Sequence, residues 1–301
     1  MNTHDSYALH AYSIRIFAAL FTCALLLVSC AEHKDEAPTL PESYTAMRKS
    51  NLVHAPYHAQ NPFDSIGIRH NQIVHAVVAS MRPWDTLDVS HMLGRCQTTT
   101  CTWAMEHLHL SRERSMELVQ SAFALRIDSS ARRKLAAYAQ DGASEREQVY
   151  IRRLGDILCA RDRFEDTERA LDELERDILA ETWPEGDSTE VLPRMAISIA
   201  RHSFVYWKRM MCTVTPGLES HGALTKTAED LVIRTNSKTK LIVAADVFAG
   251  TSAAEAAAGG GILAQIQAGL ISAATVSAVV AIIVYSEDIT SFLGSLLPWN
   301  W

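Results

Sequence analysis

The sequence predicts a mainly α fold: a helical bundle closed by a C-terminal αα-hairpin rich in Ala and Gly. Three observations carry this. Apolar residues recur at helical spacing from Ser65 to Met211. Only 13 Gly and 9 Pro stand among 301 residues, too few breakers for a turn-rich all-β chain. Between Lys240 and Tyr285 the chain is mostly Ala, Gly, Ile and Val, with only Asp246 and Glu255 charged. At 48% hydrophobic and 21% charged, the composition is globular, neither disordered nor collagen-like.

The elements follow in order. Ile66, Ile73, Val74, Val77, Val78 and Met81 share a face of a first helix over Ser65–Met81, with Asp64 at the N-cap position and Pro83 as the stop. Trp103 to Ile127 predicts a second helix. Ser129 is placed to cap a third that reaches Gln140 and breaks at Asp141-Gly142-Ala143. Ser144-Glu145-Arg146-Glu147 matches a capping box and opens one long helix to Glu181. There Tyr150, Ile157, Phe164, Leu171 and Ile178 recur every seven residues, but Arg161 and Glu168 interrupt the second stripe, so a bundle helix is favoured over a coiled coil. A further helix runs from Thr189 to Met211 with Pro193 in its first turn, closed by Pro216-Gly217.

The hairpin is read from small residues four apart. Ala245, Ala249, Ala253 and Ala257 precede Gly259-Gly260-Gly261; Gly269, Ala273, Ser277 and Ala281 follow it. Such stripes let two helix backbones approach closely. Ile262–Tyr285 contains 24 uncharged residues, roughly 36 Å as a helix and long enough to cross a bilayer. Gln265 and Gln267 dilute its first turn, which favours a hairpin buried in a soluble bundle; membrane insertion is the alternative. Pro298-Trp299-Asn300-Trp301 reads as a docked tail or an interfacial anchor.

At the other end, Arg15 precedes an apolar run, Ile16–Val28, that is too short to span a bilayer and ends in Ser29-Cys30. This is the pattern of a secretory signal. Leu27-Val28-Ser29-Cys30 resembles the lipobox of bacterial lipoproteins. The resemblance implies cleavage between Ser29 and Cys30, acylation of the Cys30 thiol, and stable anchoring by two or three chains. Ala31 in place of an acidic residue favours the outer membrane. His33-Lys34-Asp35-Glu36 is similar to a surface-export signal, or is simply a solvated tether. The expected organisation is a signal peptide over 1–29, a lipidated Cys and polar tether over 30–62, a helical domain over 63–217, and the hairpin with its Trp-containing tail over 218–301.

Removal of residues 1–29 takes one acid, Asp5, and one base, Arg15, so the mature chain keeps the net charge of -7. That balance argues against a nucleic-acid partner. The expected partners are the membrane, through the lipid, and an envelope protein. Four cysteines remain after Cys23 and Cys30: Cys96, Cys101, Cys159 and Cys212. Cys96-Gln97-Thr98-Thr99-Thr100-Cys101 is expected to be a short loop whose ends can meet as a disulfide in an oxidising compartment. Free thiols, or a metal with His91, His107 and His109, are the alternatives, although no zinc-ligand spacing is present.

Three pieces occur in a recognisable order: Asn61-Pro62-Phe63-Asp64-Ser65-Ile66-Gly67-Ile68-Arg69-His70-Asn71, then Ser203-Phe204-Val205-Tyr206-Trp207, then the segment led by Asp246. Together they resemble a loose group of uncharacterised exported bacterial lipoproteins, helical with a glycine-zipper-like tail. The group brings no activity with it.

Chemistry is sparse. The chain has no Gly-rich phosphate loop, Gly-x-Ser-x-Gly elbow or His-Glu-x-x-His. The best cluster is Asp64, His70, Asn71 and His75, yet His70 and His75, five apart on a helix, diverge by about 140°. Asp64 is expected to cap, and His70 with Asn71 to hydrogen-bond a neighbouring helix. His107 and His109 point to different faces, and His54 and His58 fall in the tether. No catalytic residue, metal ligand or cofactor is assigned. The expectation is a non-enzymatic outer-membrane lipoprotein that serves as an interaction module, with a membrane-active, pore-like protein as the alternative.

Overall fold

The computed structural model describes residues 55–56, 58–81, 88–125, 135, 144–183, 188–214 and 226–284. Among them are eight α-helices and no strand. The mainly helical bundle expected from the periodicity is what forms. The signal peptide, Ser29 and Cys30, most of the tether, the helix expected over Ser129–Gln140 (Leu135 apart) and the tail after Val284 lie outside the described residues.

Helix α1 (Asp64–Ser80), α6 (Val191–Val214), α7 (Lys226–Ala256) and α8 (Gly261–Val284) form a square. α6 and α8 stand on its diagonal, and α1 and α7 each pack against both. α2 (Val89–Leu108) and α3 (Arg112–Ala124) cover the flank on α8, while α4 (Glu145–Cys159) and α5 (Phe164–Ala180) cover the flank on α6. The core is therefore continuous from Ile73 and Val77 through Phe204 and Trp207 to Ile271 and Ala274.

α7 and α8 make the predicted hairpin. A short 3-10 turn, Ala258–Gly260, joins them, and Gly261 takes the left-handed backbone conformation (φ 82°) that a side chain resists. The stripe of small residues does what its spacing suggests. A Cβ on Gly269 would lie 2.9 Å from the Gly250 carbonyl oxygen and 2.8 Å from Met195 Cε, so backbone meets backbone there. Ala258–Val284 is long and apolar enough to cross a membrane, yet most of it is buried within the bundle.

Several local expectations are corrected. α2 begins at Val89, not Trp103, because Asp88 caps it by accepting from the His91 N–H at 2.9 Å. The Cys96–Cys101 stretch is thus helix, not loop. Its buried residues are Met92, Cys96, Thr100, Cys101, Trp103 and Ala104, and between Met92 and Trp103 they are cysteines and a threonine that do not read as an apolar stripe. Both thiols are free. Residues five apart on a helix are separated by about 7.5 Å of rise alone, beyond the reach of a disulfide. The helix expected from Trp103 to Ile127 is divided. His109 adopts the left-handed conformation (φ 54°, ψ 34°), and the Ser111 hydroxyl restarts α3 by accepting from the Arg114 N–H.

The long helix expected from Ser144 to Glu181 is also two. Its start is as predicted: Ser144 and Glu147 form a reciprocal capping box. It stops at Ala160 and resumes after Arg163, both with extended ψ, so α5 turns back along α4. Arg153 then meets Asp177, and Tyr150 donates to Glu181 at 2.7 Å. The seven-residue stripe is real, but its two halves face each other. The corner is held from outside by Lys240 of α7, fully buried, whose ammonium donates to the carbonyls of Ile157 and Ala160 and to the Asp162 carboxylate. A cation on the last carbonyls of α4 also suits the negative end of its dipole.

Candidate functional site

The polar residues of interest gather along the centre of the square. α1 starts after Phe63, which provides no side-chain cap. Asp64 does not cap either, which corrects the expectation for it. Its carboxylate turns inward, accepting the His58 N–H at 2.9 Å and facing His202 Nε2 at 3.0 Å. Burial pushes this acid up, but hydrogen bonds from His202 and His58 and the nearby charges of His202 and Arg201 outweigh it and hold it below the usual carboxylate range.

α1 can approach α6 this closely because of Gly67. A Cβ there would sit 2.4 Å from the Ser198 carbonyl oxygen and 2.5 Å from His202 Cδ2. In that space the Gly67 N–H donates to Ser198 Oγ at 3.0 Å, and Ser198 donates on to the Asp64 carbonyl at 3.1 Å. The Gly67 N–H in the first turn of α1 is thus satisfied by a serine of α6, while the Asp64 and Ile66 N–H groups donate to the Asn61 and Phe63 carbonyls.

Arg201, its side chain only 5% exposed, is the hub on the outer side. It reaches Glu175 at 2.6 Å, Asp172 at 2.9 Å and Asp64 at 3.8 Å. Asn61 Nδ2 donates to the same Glu175 at 3.0 Å. Ala55 and Asn61 are buried, so the end of the segment read as a tether is docked on the bundle. One guanidinium therefore ties together α1, α5, α6 and the chain leading into α1.

The inner part takes one residue from each helix of the square. His70 of α1 places Nε2 3.5 Å from Asp246 Oδ2 of α7. Ser203 of α6 and Ser277 of α8 donate to that same oxygen at 2.5 and 3.0 Å, and Trp207 Nε1 donates to Ser277 at 3.0 Å. His70 Nδ1 lies 3.0 Å from Asn71 Oδ1, and Asn71 Nδ2 donates to the His202 carbonyl at 2.8 Å. His70 and Asn71 do engage neighbouring helices, as expected. Burial lowers His70 to about 4, and burial holds Asp246 well above the carboxylate range against the two serine hydrogen bonds.

The three sequence pieces of the resemblance therefore meet: Asn61, Asp64, His70 and Asn71; Ser203 and Trp207; and Asp246. Other candidates stay apart. His75 is half-buried on another face, edge-on to Tyr206, and His107 stacks on Trp103 while His109 is exposed. His91 pairs with Asp88 in solvent. Among the described residues no group of three His, Cys, Asp or Glu is placed to hold a metal ion. Arg201, His202, Glu175 and Ser198 went unnoticed in sequence. The one available signal was Arg201-His202 interrupting an apolar helix just before Ser203.

Chemically the cluster can fix helix register and hold protons. Asp64, His70, His202, Ser203, Asp246 and Ser277 are all fully buried, and none offers a nucleophile to solvent. Comparison with protein-family models, curated proteins and solved structures finds no match to this chain.

Proposed function

We propose that this chain is an exported bacterial lipoprotein, anchored in the outer membrane through lipid on Cys30, whose helical body is a non-enzymatic interaction module of the envelope. The observation that carries the anchor is Leu27-Val28-Ser29-Cys30 behind a short apolar run. The burial of the polar cluster supports the non-enzymatic reading, since its acids, histidines and serines are closed off from solvent. Kinship with the loose group of exported lipoproteins belongs to the same proposal. Cys30→Ala is expected to abolish lipid labelling and release the protein from membranes. Equal membrane retention of the variant would refute the anchor.

A second reading is membrane activity of the hairpin. It is favoured by the tip, where Ile262 is 50% and Leu263 67% exposed beside the three glycines. The readings separate with Cys30→Ser protein: an interaction module purifies without detergent and leaves liposomes intact, whereas an inserting hairpin stays with membranes and leaks them.

A further inference from the structure

The His70–Asp246 contact lies where all four helices of the square contribute polar groups: His70 of α1, Ser203 of α6, Asp246 of α7 and Ser277 of α8. Asn71 is oriented by its bond to the His202 carbonyl and so presents Oδ1 to His70. His70 Nδ1 therefore carries a hydrogen, and the remaining ring nitrogen, Nε2, faces Asp246. Two arrangements satisfy this geometry: an imidazolium beside a carboxylate, or a neutral imidazole beside a carboxylic acid. They differ in where one proton sits, not in how many protons the pair holds.

We propose that His70 and Asp246 jointly trap one proton when the α7–α8 hairpin is docked, so that undocking the hairpin is coupled to proton exchange with solvent.

The surroundings support a single trapped proton. α7 carries no other charge between Lys240 and Glu255, and α8 carries none at all. α8 contributes only the Ser277 hydroxyl and, toward His70, the Ala273 carbonyl. On α6 the facing groups are Ser203 and His202, whose charge opposes a second proton on His70, while Arg201 is committed to Glu175 and Asp172. On α1, Asp64 is engaged by His202. α2 and α3 turn only uncharged side chains inward, the Cys96 thiol among them, pushed by burial to about 12.

The sign follows from counting protons. In an opened chain a histidine releases its proton above 6.5 and an aspartic acid above 3.8. The opened pair then holds one proton between these values and none above 6.5, while the docked pair still holds one. Docking therefore weakens as pH rises above 6.5, by roughly tenfold in equilibrium constant per pH unit, and is flat between 3.8 and 6.5.

The test is denaturant stability of the full chain against pH, in wild type, Asp246→Asn and His70→Gln. Asp246→Asn leaves a buried neutral histidine, so the alkaline loss should become shallower by the one proton the pair no longer holds, leaving only what the Asp64–His202 pair contributes, and an acid loss should begin below 6.5. His70→Gln leaves a buried acid, so the alkaline loss should begin near 3.8 instead of 6.5. A wild-type profile flat above 6.5, or the same alkaline slope in Asp246→Asn, overturns the proposal. Should a variant fail to fold, NMR of the wild-type His70 ring nitrogens together with the Asp246 carboxyl carbon decides: one proton held by the pair throughout about pH 5 to 8 supports the proposal, and a neutral His70 beside an ionised Asp246, or titration at the ordinary histidine value, refutes it.

Discussion

The α4–α5 flank and the α1–α6–α7–α8 square solve the same problem in opposite ways. On the flank, large side chains fill one stripe of each helix: Tyr150, Ile151, Leu154 and Leu158 on α4, Phe164, Leu171, Leu174 and Ile178 on α5. Most charges occupy the outer faces; on these two helices Glu147, in the capping box, and Glu175, paired with Arg201, are the buried ones among the described residues. In the square, Gly67, Gly250, Gly269 and Ala273 bring backbones together, and polar groups fill the centre. The flank is held by apolar area, which is non-directional and tolerant of small shifts. The square is held by hydrogen-bond geometry, which fixes one register and fails when a partner is lost. Dense small-residue packing and buried charge belong together here. Where backbones approach most closely there is no room for large side chains, and short polar ones span the gaps beside them, while Phe204 and Trp207 fill the wider parts.

Four substitutions would break or sharpen this contrast, each read as a shift in urea denaturation. Arg201→Met should be the most damaging, at about 3–5 kcal/mol, because it strands the buried Glu175 and Asp64 carboxylates. Leu154→Ala, fully within the flank's apolar stripe, should cost about 2–5 kcal/mol through the cavity it leaves. Ala273→Leu should cost about 1–3 kcal/mol by overfilling the seam where Ala273 Cβ already lies 3.3 Å from the Cβ position of Gly250. Asp177→Asn should cost at most about 1 kcal/mol, because its pair with Arg153 is half-exposed on the flank. Were Ala273→Leu as harmless as Asp177→Asn, the seam would be looser than its geometry implies.

Sequence legibility divides along the same line. The flank could be read because its signals are local: a capping box at Ser144 and apolar residues at fixed spacing. Even there the corner at 160–163 was hidden, since the group that finishes α4, Lys240, stands 80 positions beyond Ala160. The hairpin was legible from its small residues and glycine turn. The first half of α2 was not, because Cys96, Thr100 and Cys101 fill its core face between Met92 and Trp103. Asp64, His70 and Asn71 were singled out, but their partners His202 and Asp246 could not be paired with them. Periodicity shows which face of a helix is buried, not which residue of a distant helix meets it.

The reach of these contacts has a consequence for how the chain acquires its structure. The buried hydrogen bonds from α1 to α6 through Asp64, Gly67 and Asn71 span 131 to 138 residues. The Lys240 bonds that finish the α4–α5 corner span 78 to 83. A polypeptide appearing N-terminus first thus completes α1 long before anything can receive its buried groups, and long loops must close before those contacts contribute. Helices made late complete those made early: α6 receives the buried groups of α1, and α7 supplies Asp246 to His70 and Lys240 to the α4–α5 corner. A product truncated before Lys240 is left as helices with polar groups and apolar stripes unmatched, a form open to proteolysis.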